Sequence, residues 1–120
     1  MAEAALFVGF GQPARAREPQ ALDLFGHLLR FYTELQERGE IESFEPVLLE
    51  PHGGDLGGFI LIRGTRDQLH ELKAQEEFRS MSARAGLVVD GFGVVDAHVG
   101  EGLQAQVALY GQQVEEQLSA

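Results

Sequence analysis

The chain has 120 residues, 44% of them apolar, the size and composition of a single domain around one hydrophobic core. Its formal net charge is −10, and its nine Lys and Arg residues are scattered. That excludes the concentrated basic patch that nucleic acid or a membrane surface requires. Cysteine is absent, so disulfides, thiolate metal sites and cysteine nucleophiles are excluded as well. No apolar run approaches the roughly 20 residues needed to span a bilayer. The opening segment lacks the basic start of a signal peptide, and a cytoplasmic protein is expected.

Residues 5–10 (ALFVGF) form a short apolar run rich in strand formers, ended by Gly11 and Pro13. A polar stretch leads to a first helix, with Pro19 in its first turn. Leu24, Leu28, Phe31 and Leu35 repeat at helical spacing, and Leu22, Phe25, Leu29 and Tyr32 widen the apolar arc to about half the circumference. Gly39 ends this helix. Residues 41–50 read as a second strand, and Pro46, which has no N–H to give a ladder, assigns it to a sheet edge. After a Gly-rich loop, residues 58–63 (GFILIR) complete a hairpin. Thr65 and Gln68 fit a capping box opening a second helix. Its apolar spacing breaks between Lys73 and Glu76, which predicts a kink or interruption there, and Gly86 is expected to stop the region. A fourth strand lies within 87–99, and residues 103–118 form an amphipathic helix through Leu103, Val107, Tyr110, Val114 and Leu118.

The order β-α-β-β-α-β-α predicts an α+β domain over 1–120 with a ferredoxin-like core. Its antiparallel four-stranded sheet has order 4-1-3-2, with both helices on one face. Both faces of the strands are apolar, and one helix layer buries only one of them. Stacking two copies through the other face would solve this, giving a homodimer. The C-terminal helix covering that face within its own chain is the competing solution.

This element order over residues 5–100, with the stretch EEFRSMSARAG at 76–86, resembles the dimeric α/β-barrel superfamily. That superfamily includes antibiotic-biosynthesis monooxygenases, muconolactone isomerases, YCII-related proteins and stress-responsive barrel proteins. The resemblance implies cofactor-independent enzymes or simple binding proteins, with a ligand between sheet and helices or inside the barrel. The chain has neither the Trp nor the Asn that monooxygenase members place near their pocket, and no cofactor is expected.

Asp96 and His98, two apart on a strand, share a face with Phe92 and Val94. A carboxylate beside an imidazole fixes its tautomer and suits a general base, so this pair is the candidate catalytic site. Arg63 and Phe59 are expected to reach the same region, with Phe92 and Tyr32 as further ligand-binding candidates. Glu50, His52 and Asp55 sit on a Gly-rich hairpin loop, a weak cage for an ion, and no metal site is assigned. Two functions remain open. One is a protein that binds, or slowly transforms, a small hydrophobic or carbonyl-bearing metabolite in a pocket at the sheet face. The other is a non-catalytic dimeric module made for protein contact.

Overall fold

A computed structural model describes residues 3–118. Its elements run β1 (Ala4–Phe10), α1 (Glu18–Glu37), β2 (Ser43–Leu48), β3 (Gly58–Gly64), α2 (Arg66–Ala74), α3 (Glu76–Val88), β4 (Gly93–Ala97) and α4 (Gly100–Leu118). All strand pairs are antiparallel, in the order β2-β3-β1-β4. The chain therefore has the ferredoxin-like α+β architecture, and Pro46 lies on the edge strand where its missing donor costs no interior ladder bond.

Local chemistry sets the boundaries. α1 ends in a Schellman turn: Glu40 N donates to the Leu35 carbonyl at 2.9 Å and Gly39 N to that of Gln36 at 3.1 Å. Gly39 has φ +73°, a conformation that only glycine adopts without strain. The capping box of α2 is complete, with Gln68 N donating to Thr65 Oγ1 (3.1 Å) and Thr65 N to Gln68 Oε1 (2.8 Å). Gln75 is extended, with ψ 136°, and divides α2 from α3 at the expected break. Gly86 does not end the region, because α3 continues through it to Val88. The helix stops where the chain after β1 zips onto it, with Ala14 N donating to Val88 O and Asp90 N to Gln12 O. Backbone pairing from another segment decides that end, and spacing within the helix carries no sign of it.

The core lies between the sheet and the three helices α1–α3. Leu6 and Val8 of β1 and Ile60 and Ile62 of β3 are essentially inaccessible. They pack with Leu24, Leu28, Phe31 and Leu35 of α1, Leu69 and Leu72 of α2, and Phe78 and Met81 of α3. Each such side chain contributes about 1.5–3 kcal/mol by leaving water. The register places Ala5, Phe7, Val47, Phe59, Leu61, Arg63, Val95 and Ala97 on the opposite, open face. There the Phe7 and Phe59 rings stack at 5.0 Å. Gly9 makes this possible, since a Cβ at that position would lie 2.5 Å from the Phe7 ring.

α4 borders the open face only at its Ala5 and Ala97 end, where the helix and these two residues line one groove, and none of the described residues of α4 is buried. The helix thus leaves Phe7, Phe59 and Leu61, at the middle of that face, outside the groove it lines. Replacing Thr65 with Ala should remove one half of the capping box and cost about 1 kcal/mol. Thermal unfolding followed by circular dichroism should then show a midpoint lower by roughly 4 °C.

Candidate functional site

The register separates the residues that sequence spacing brought together. Ala5 lies opposite both Arg63 on β3 and Ala97 on β4, so Arg63 shares the open face with Ala97. Asp96 lies opposite Leu6 and therefore belongs to the helix-covered side. Arg63 and Phe59 thus lie on one face of the sheet and Asp96 on the other. The expectation that they share one region is corrected, because alternation along a strand fixes relative sides but not which side meets the helices. Arg63 Nη1 donates to Glu45 Oε1 at 3.3 Å across the open face, while Phe59 stacks on Phe7.

Asp96 Oδ1 accepts a hydrogen bond from Lys73 Nζ of α2 at 3.1 Å. The Asp96 side chain is 71% exposed, so this is a solvated surface ion pair. Among the described residues, no hydrogen bond joins Asp96 to His98. Both line a charged groove between α2, the ends of β1 and β4, and the first turns of α4, beside Arg66, Asp67 and His70.

Tyr32 is fully buried, with its ring 5.3 Å from Phe31 and 5.7 Å from Phe44. Its hydroxyl has no hydrogen-bond partner, and burial alone raises the phenol's pKa well above its ordinary value. A neutral phenol enclosed in this way is a packing residue and has no open path to a ligand.

On the hairpin loop, Gly54 N donates to His52 Nδ1 (3.2 Å), which leaves the proton on Nε2 to donate to Leu56 O (2.8 Å). Both ring nitrogens are thus spent on holding the loop. Among the described residues, no cluster of three or more His, Asp or Glu side chains is placed to hold a metal ion.

The more apolar opening lies elsewhere. At the end of the sheet where β1 stops, α1 and α3 diverge from the strands and leave a cavity of about 450 Å³. Val8, Phe10 and Ile60 form its floor, Leu24, Phe25 and Leu28 its roof, and Ala85, Val89 and Phe92 one wall. Leu48 and Leu49 close the opposite side, and Gln12 and Glu18 supply polar side chains at its lining. The volume falls within the 300–1,000 Å³ typical of small-molecule sites. Of the six residues singled out from sequence, Phe92 alone lines this cavity. The residues that were missed carried one signal, the excess width of the apolar arc of α1. Leu22 and Phe25 lie on the part of that arc beyond what one sheet contact needs, and both line the cavity.

No protein-family model matches the sequence, and no match is found among curated proteins. Solved structures do match. A dimeric protein of unknown function and ferredoxin-like fold from Bacteroides fragilis superimposes with a TM-score of 0.62 at 12% identity, over 82% of this chain and 98% of that one. SnoaB, a cofactor-independent oxygenase from Streptomyces nogalater, gives 0.54 at 15% identity, over 82% of this chain and 95% of that one. A hypothetical Arabidopsis thaliana protein, solved in solution, gives 0.55 at 13% identity, over 82% of this chain and 88% of that one. At such identities the likeness is one of fold, and it agrees with the ferredoxin-like topology of the sheet.

Replacing Tyr32 with Phe removes a hydroxyl buried without a partner, and should stabilise the fold by about 1 kcal/mol. The sign of its pH dependence also follows. The folded phenol holds its proton above the pH at which an unfolded one loses it, so its contribution to stability is full below about pH 10 and declines above that. Denaturant titrations at neutral and alkaline pH should show the gain from Tyr32→Phe growing as the pH rises beyond about 10.

Proposed function

We propose that this protein binds a small, neutral, largely apolar molecule in the cavity between the sheet and α1 and α3. The observation that carries the reading is an opening of about 450 Å³ walled almost wholly by aliphatic and aromatic side chains. A well-packed core leaves few voids larger than a water molecule, so space on this scale at the rim of a core is suited to a ligand. Gln12 and Glu18 are the polar side chains that could orient a carbonyl or hydroxyl group. Among the described residues no basic side chain lines the cavity, which disfavours an anionic ligand.

The likeness to SnoaB supports a cofactor-independent enzyme as an extension of this reading. The chain lacks Trp and Asn, so any such chemistry would use other groups. The binding reading does not draw on Asp96 and His98, which line the separate charged groove. We further propose that the working form is a homodimer paired through the open face of the sheet. Phe7, Phe59, Leu61 and Val95 give that face an apolar centre, and the Bacteroides fragilis neighbour is itself dimeric.

Two measurements test these readings. Nile red, a neutral apolar dye, should bind saturably with blue-shifted emission. Ala21→Phe, which fills the cavity from α1, should weaken that binding by about tenfold or more without lowering the unfolding temperature. Dye binding unaffected by this substitution would place the apolar site elsewhere. Light scattering should give twice the 13.1 kDa chain mass, and Phe59→Lys should convert the protein to monomer.

A further inference from the structure

α4 is a 19-residue helix, about 28 Å long, that lines a groove with the body through its first half, as far as Leu109. The attachment is close, since a Cβ at Gly102 would lie 2.5 Å from the Glu3 carbonyl oxygen. Gly102, Ala105, Gln106 and Leu109 face the groove beside α2. At 100° per residue, the stripe Leu103, Val107, Tyr110, Val114 and Leu118 is centred about 130° around the helix from that face. It therefore points away from its own subunit. Val107 is 61% exposed, Tyr110 70% and Leu118 76%. The helix also extends the molecule, whose radius of gyration of 16.5 Å exceeds the roughly 13.5 Å expected for a compact chain of this length.

We infer that α4 is an arm that packs its apolar stripe onto the second subunit of the homodimer. This rests on the homodimer proposed above and names an element that secures it. Three observations favour a second copy as the occupant.

The first is area. The open sheet face, four short strands wide, measures roughly 20 by 20 Å, or about 400 Å² per subunit. A stable interface of standard size buries about 800 Å² per partner. An arm of this length with a contact strip about 10 Å wide adds roughly 280 Å² on its own side and a similar area where it receives the other arm. Sheet and arms together reach the standard size, and the sheet alone does not.

The second is charge. In a chain with 23% charged residues, positions 102–114 carry none. Two copies each bearing −10 repel, so they can meet only where charge is thin, and depletion of charge marks interface centres. The third is continuity. The arm grows directly from β4, whose Val95 and Ala97 belong to the open face, so a copy docked on that face comes within reach of it.

The test uses the full chain and measures its dimer dissociation constant by light scattering across a dilution series. Val107→Glu together with Val114→Glu places two charges on the stripe, at positions already exposed in the single subunit. Dissociation should become easier by about a hundredfold or more. Gln112→Glu, on the far side of the helix, adds charge without touching the stripe and should leave the constant unchanged. A dimer unaffected by the double substitution overturns the arm and leaves sheet pairing intact. Equal weakening by Gln112→Glu also overturns it, because the effect would then be one of net charge. A wild-type monomer overturns both readings. Loss of the dimer in the stripe variant, with Phe59→Lys remaining dimeric, supports the arm and removes the sheet.

Discussion

Leu6, Val8, Ile60 and Ile62, on the two central strands, meet Leu24, Leu28, Phe31 and Leu35 of α1, and the rest of the molecule is arranged around that contact. A helix and a twisted sheet cannot stay in close contact along their whole length. Here the middle and end of α1 lie tight on the strands, where Leu35 and Tyr32 are wholly inaccessible. Its first turns separate from the strands, and the gap becomes the cavity. The same contact commits the helices to one side and leaves Phe7, Phe59 and Leu61 outward. The cavity and the open sheet are thus two results of one packing arrangement.

Much of the fold could be read from the residues because the deciding signals were local. The capping box at Thr65 and Gln68, the break before Glu76 and the Schellman glycine at position 39 each act within a few residues. Pro46 reached further, since a missing donor constrains the place of a strand in its sheet. The site was less legible. Arg63 and Asp96 were placed together by alternation within separate strands, and alternation says nothing of how β3 and β4 are registered against β1 between them. A shift of one residue in either pairing would move a side chain to the other face. The cavity depends on the tilt of α1, which no short window of sequence encodes. The excess apolar arc of that helix was its trace, visible as a surplus but not as a location.

Polar groups in this chain serve mostly at the surface. Lys73 and Asp96, Arg63 and Glu45, and Arg38 and Glu40 pair in solvent, where such contacts contribute little. His52 spends both ring nitrogens on its own loop. Tyr32 is the exception, a polar atom enclosed without a partner, and its neighbours are aromatic. In the proposed binding cavity, polar contact would fall to Gln12 and Glu18.

The edge position of Pro46 bears on how large an assembly can grow. An unfinished sheet edge with free donors and acceptors is a template on which further strands can add without limit, the route to fibrils. β2 interrupts that template with a residue that has no N–H, and Glu45 beside it adds charge of one sign to every approaching copy. Growth along the hydrogen-bonding direction is thereby discouraged at the β2 edge. In the proposed face-to-face dimer the two open faces bury one another, so association through that surface closes at two subunits.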